Sequence, residues 1–119
     1  MEKSKYLFLC FAAVTISFAD LAVAADSGSI TITSPKEGAV LQSGSGNKLE
    51  YNLHMSPNGS HLHIYVDDQD PIIGRKVSNC PCSIDLPALT PGKHVIVVKE
   101  ATAGHSLTGV QSTVAVSVK

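Results

Sequence analysis

His61-Leu62-His63-Ile64-Tyr65-Val66-Asp67 alternates without a break. Leu62, Ile64 and Val66 fall on one face and His61, His63, Tyr65 and Asp67 on the other, which is the period of a half-buried β-strand. One face supplies a core. The other carries two imidazoles two residues apart, which a strand holds on the same side at roughly 6–7 Å, so that both can turn toward one ion.

The same grammar recurs on either side. Ser29 to Thr33 alternates and is rich in β-branched residues, and Lys48 to Met55 alternates with Leu49, Tyr51, Leu53 and Met55 in phase. Ile72 to Val77 is a weak strand broken by Gly74, Cys82 to Leu86 alternates, Lys93 to Ala101 is strong, and Val110 to Val118 carries valines in one phase. Between them stand turn formers: Ser34-Pro35-Lys36-Glu37-Gly38, Asn58-Gly59 and Pro87 to Gly92. Ala39-Val40-Leu41 is a short edge continuation of the first strand. His94 to Val98 is nearly continuous in apolar residues, as expected where both faces are covered. No segment holds a helical period. About seven short strands separated by turns imply an all-β chain folded as an antiparallel two-sheet sandwich.

The first residues have the pattern of a cleaved export signal over residues 1–24. Lys3 and Lys5 form a basic start, an apolar run extends from Tyr6 to Ala19, and Ala22-Val23-Ala24 is a small-residue cleavage site. The run is too short to span a bilayer, so no membrane span is expected. Residues 25–119 then form one domain in a periplasmic or secreted location. Seven cations against eight acids in that stretch leave no basic excess, which argues against nucleic acid as a partner. Cys10 leaves with the signal, while Cys80 and Cys82 remain where disulfides persist.

In a sandwich with strands at 29–33, 48–55, 61–67, 72–77, 82–86, 93–101 and 110–118, successive strands run up and down in turn. The loops after the second, fourth and sixth strands therefore share one pole. Those loops bring Met55, His61, His63, Cys80, Cys82 and His105 to one end, with His94 and the acidic turn Asp67 to Asp70 at the other. Imidazole, thiol and thioether are ligands of copper and zinc, and an exported site with this donor set favours copper, zinc being the other candidate. A rival pairing folds residues 48–55 against 61–67 as a hairpin about Asn58-Gly59, and only there does His54 face His63 as a ligand. Topology takes Tyr65 and Asp67 away from the pole and out of the site.

Each group also has a plainer reading. His61 and His63 on a solvated face need no ion, and His94, after Pro91-Gly92, reads as structural. Asp67, Asp68 and Asp70 make a solvated turn without the regular oxygen ligands and placed glycine of a calcium loop. Cys80-Pro81-Cys82 permits a strained intraloop disulfide, a metal-binding dithiol or an intermolecular disulfide, because cysteines at i and i+2 of an extended segment approach the upper limit of disulfide Cα separation, about 6.8 Å. No Gly-x-Ser-x-Gly elbow, phosphate-cradling glycine loop or convincing carboxylate pair is present, so catalysis is not expected.

Ile32-Thr33-Ser34-Pro35-Lys36-Glu37-Gly38, His63-Ile64-Tyr65-Val66-Asp67 and Leu89-Thr90-Pro91-Gly92-Lys93-His94 together resemble the immunoglobulin-like or fibronectin-III-like domains of secreted bacterial proteins. That resemblance covers most of residues 25–119 and implies the sandwich. The histidine pair is also similar to CopC-like periplasmic copper carriers, which implies copper handling as a class of function. This chain lacks their amino-terminal histidine, its expected mature end being Ala25, and Met55 is the only methionine after the signal. Two functions follow as expectations: carriage or buffering of copper by a histidine cluster, or a metal-free interaction or structural module that meets a protein partner of the cell envelope.

Overall fold

The computed structural model describes residues 27–119; the expected signal over residues 1–24, with Cys10 in it, lies outside the described residues. Eight strands follow one another: β1 (Ser29–Ser34), β2 (Val40–Leu41), β3 (Lys48–His54), β4 (His61–Val66), β5 (Ile72–Gly74), β6 (Cys82–Asp85), β7 (Gly92–Ala101) and β8 (Leu107–Val118). They form a three-stranded sheet in the order β1-β3-β6 and a five-stranded sheet in the order β2-β8-β7-β4-β5. The all-β, two-sheet sandwich expected from the alternation is the fold observed.

β4 lies between β5 and β7, with Leu62 opposite Gly74 and Glu100, His63 opposite Ile73 and Lys99, and His61 opposite Ala101. β3 and β4 thus belong to different sheets, and the hairpin between them does not form. His54 instead stands opposite Ser29. The strand beyond the seven expected is β2, the Val40–Leu41 edge, which pairs with β8 in parallel rather than antiparallel fashion. It is pinned there by the Gly38 amide donating to the Ala115 carbonyl (2.8 Å) and the Ala115 amide donating to the Glu37 carboxylate (3.0 Å).

The inward phase of every long strand meets in one core: Leu49 and Tyr51 from β3, Leu62, Ile64 and Val66 from β4, Ile96 and Val98 from β7, and Val114, Val116 and Val118 from β8. Leu49, Leu62, Ile64, Ile96 and Val98 have no exposed surface, and each such side chain contributes about 1.5–3 kcal/mol by leaving water. Tyr51 spends its polar end on a bond, its hydroxyl donating to the Lys76 carbonyl at 2.7 Å. The outward phase of β7 is not covered as its apolar run suggested. Val95 is 43% exposed while Ile96 beside it is fully enclosed, so β7 has one wet face despite its composition.

Candidate metal centre

His61 and His63 stand on the outward face of β4, the phase opposite Leu62 and Ile64, yet only 2% and 7% of their surface remains exposed. The cover includes the loop between β7 and β8. That loop is short because β7 and β8 close on the pair Ala101 and Leu107, directly alongside His61 opposite Ala101. Within it the His105 amide donates to the Thr102 carbonyl (2.9 Å) and the Thr102 amide to the Ser106 carbonyl (2.8 Å). His105 occupies the left-handed region, φ 68°, a conformation that His adopts more readily than most side chains but still at some cost.

Three ring nitrogens converge as a result. His61 Nε2 lies 3.1 Å from His63 Nε2 and 3.2 Å from His105 Nδ1, and the last two are 3.3 Å apart. Among the described residues this is the one group of three or more His, Cys, Asp or Glu side chains gathered closely enough to share an ion. A triangle of that size has its centre about 1.85 Å from each corner, slightly inside the 2.0–2.1 Å of a zinc–imidazole bond. His61, His63 and His105 would hold an ion at that bonding distance with little change in their spacing. Hydrogen bonding alone cannot satisfy the same triangle. One N–H pointing inward still leaves two lone pairs facing each other at about 3 Å, whereas a cation accepts all three.

Outer partners fix which nitrogen faces inward. His61 Nδ1 lies 3.3 Å from Ser60 Oγ and His63 Nδ1 lies 3.5 Å from the Tyr65 hydroxyl; each hydroxyl can accept from an Nδ1–H, and in that tautomer each Nε2 keeps its lone pair for the centre. Burial lowers the pKa of both rings below the ordinary imidazole value. Repulsion from His105 adds to this for both, and His63 and Arg75 add to it for His61. Both effects favour the neutral, ligating form.

The expected ligand set divides. His61, His63 and His105 are together. Cys80 and Cys82 are bonded to each other as a disulfide with Cα atoms 4.4 Å apart, the Cys80–Pro81 peptide being cis rather than part of an extended segment. Cys82 is packed in the core on β6, in the other sheet, so neither sulfur joins the imidazoles. The Met55 methyl group packs toward Gly59 on the side of Glu100, which shares the inward phase with Leu62 across from it. Ser60 carries no mark in the sequence, and Tyr65, expected to run away from the site, lies beside it instead, its hydroxyl 3.5 Å from His63 Nδ1. Tyr65 belongs to the cluster's surroundings because strand alternation places it on the face of His63, with its hydroxyl reaching back toward the ring.

The opposite end of the sandwich explains His94. Its Nδ1 is 2.6 Å from the Asp67 carboxylate and its Nε2 is 2.6 Å from the Thr90 carbonyl. Both partners are acceptors, so both nitrogens donate and the ring is an imidazolium. Its pKa is raised accordingly, first by the bond to Asp67 and then by that to Thr90. Asp67 also accepts the Val95 amide at 2.8 Å. The turn is a latch, and His94 is structural.

No protein-family model matches the chain, and no curated protein matches it. Among solved structures it is similar to a fibronectin(III)-like module of Clostridium thermocellum CbhA, at 19% identity and a TM-score of 0.58 over 76% of this chain and 95% of that one. The extracellular domain of a one-component system of B. thetaiotaomicron aligns at 11% identity and a TM-score of 0.46, over 76% of this chain and 15% of that one. No helix among the described residues is long and apolar enough to cross a membrane. The architecture of residues 27–119 is a fibronectin-III-like sandwich.

Proposed function

We propose that this protein is an exported, non-catalytic fibronectin-III-like module that binds one transition-metal ion through His61, His63 and His105. Copper is the preferred ion and zinc the other candidate. The observation that carries the reading is the triangle of ring nitrogens, 3.1–3.3 Å on a side, each backed or borne by a separate structural device. The donors are neutral and nitrogen-only, which suits copper or zinc over calcium or magnesium. A carrier or buffer follows from such a site, since acidification protonates the imidazoles and releases the ion. Export is supported by the pattern of residues 1–24.

A second reading is a structural or interaction module of the cell envelope that takes no ion. The fold favours it, because the resemblance to a fibronectin(III)-like module extends over 95% of that module's length, and the outward face exposes Ile73, Val95 and Leu107 to a partner. Titration with Cu(II), Cu(I) and Zn(II) separates the two. The metal reading expects one ion bound tighter than micromolar, lost when His61 and His63 are both changed to Ala. Binding no tighter than micromolar by the unchanged protein leaves the metal-free module as the function.

A further inference from the structure

Glu100 is the one fully buried acidic side chain among the described residues, on the inward face of β7 where a carboxylate is costly unless its oxygens are bonded. They are. The Ser56 amide donates to Oε2 at 3.0 Å, and the hydroxyls of Ser56 and Thr108 donate to Oε1, the latter at 2.7 Å. Two glycines make room for it: a Cβ on Gly28 would come within 2.9 Å of Oε2, and one on Gly59 within 2.7 Å of Cδ. These partners are not scattered. Ser56 and Gly59 belong to the segment that leads into His61, and Thr108 is the second residue of β8, three residues after His105. Glu100 itself sits at the β7–β8 register shift, between Lys99, opposite Gln111, and Ala101, opposite Leu107, which is where the His105 loop leaves the ladder. The same segment is tied to β7 by the Ser60 amide donating to the Ala101 carbonyl at 2.8 Å.

We propose that Glu100 is a positioning residue for the metal centre: from inside the sandwich it binds the segment before His61 and the start of β8 after His105, and so sets the spacing of two of the three ligands. It is not among the hydrogen-bond partners of His61, His63 or His105. Hydrophobic packing would serve a merely structural position at lower cost, whereas a carboxylate with three donors fixes two loops relative to one another in direction as well as distance. The inference rests on the three-histidine reading.

The test compares wild-type protein with Glu100→Gln and with Tyr51→Phe, which removes a buried hydrogen bond in the other sheet. Competition titrations with Cu(II) and Zn(II) are expected to show Glu100→Gln weaker by about 10- to 100-fold, the range seen when groups behind metal ligands are changed, and Tyr51→Phe within about threefold at comparable loss of stability. Affinity of folded Glu100→Gln within threefold of wild type overturns the proposal. If that variant does not fold, Ser56→Ala and Thr108→Val each cut one side of the clamp and are judged by the same criterion. Ring resonances of His61 and His105 in metal-free protein give a readout independent of any ion. Shifts or broadening in Glu100→Gln that Tyr51→Phe lacks support positioning even where wild type binds no metal, and unchanged rings overturn it.

Discussion

His105→Gly is expected to make the protein more stable without metal and less stable with it. At φ 68° a side chain with a Cβ costs about 1–2 kcal/mol relative to glycine, toward the lower end for His, and glycine gives back about 0.5–1 kcal/mol through the freedom of its unfolded chain. The loop's own ties survive, since they run through the backbone of His105 and Thr102. Little is lost at the ring, because the metal-free triangle leaves facing lone pairs. About 1 kcal/mol against about 0.5–1 kcal/mol leaves a net gain of up to about 0.5 kcal/mol, which in a domain of this size raises the melting temperature by up to roughly 4 °C. An ion at a hundred times its dissociation constant stabilises the wild type by about 2.7 kcal/mol, or roughly 10–20 °C, because it binds the folded form alone. The variant retains two of three ligands and forfeits most of that gain. Thermal unfolding followed by circular dichroism, first in chelator and then in Zn(II), reads both arms. Two curves that fail to change order between the two conditions would refute the reasoning.

At the other end, Asp67→Asn keeps an acceptor for the Val95 amide but removes the carboxylate from His94. His94 has a raised pKa in the folded protein, so its contribution is full below the unfolded value near 6.5 and fades as pH rises through the folded one. Asp67, whose own pKa is lowered, loses its share only in strong acid. The wild type should therefore exceed Asp67→Asn by about 1 kcal/mol at pH 5.5, a modest figure because the Asp67 side chain is 37% exposed and water screens the pair; denaturant titrations with a gap that widens above pH 7 contradict the assignment. Changing Cys80 and Cys82 together to Ser leaves Zn(II) affinity within about threefold, as sulfurs outside the cluster require, and a larger loss brings them back as ligands. Tyr65→Phe removes the hydroxyl 3.5 Å from His63 Nδ1 and weakens Zn(II) by up to about tenfold; no change in calorimetric titration makes that contact incidental.

The fold was legible because its signal is local. Leu62, Ile64 and Val66 alternate with polar residues, Pro35 and Gly38 punctuate, and a one-residue slip would expose the whole core face. His105 was placed beside His61 and His63 from the same signal, since up-and-down strands dictate which loops share a pole. What escaped is what depends on side chains and on departures from regularity. Nothing in Cys80-Pro81-Cys82 announces a compact turn in place of an extended segment. The wet face of β7 was hidden because Val95 and Val97 are as apolar as Ile96 and Val98, and only the absence of a third layer tells them apart. Glu100 carries no mark that sets it apart within Lys93 to Ala101. Its role comes from the register shift beside it, which no periodicity predicts.

The interleaving of phases in β4 bears on how such a module changes over generations. Leu62, Ile64 and Val66 answer to the core, and His61 and His63 answer to the outward face, so alternate letters of one six-residue word meet separate physical demands. Replacing the histidines is expected to abolish the proposed metal binding while leaving the core face of β4 unchanged. By the same token, three histidines placed at equivalent outward positions of a related scaffold, with a five-residue loop beside them, are a short mutational distance from a metal site. A binding function of this kind can be acquired or discarded without the fold passing through an unfolded ancestor.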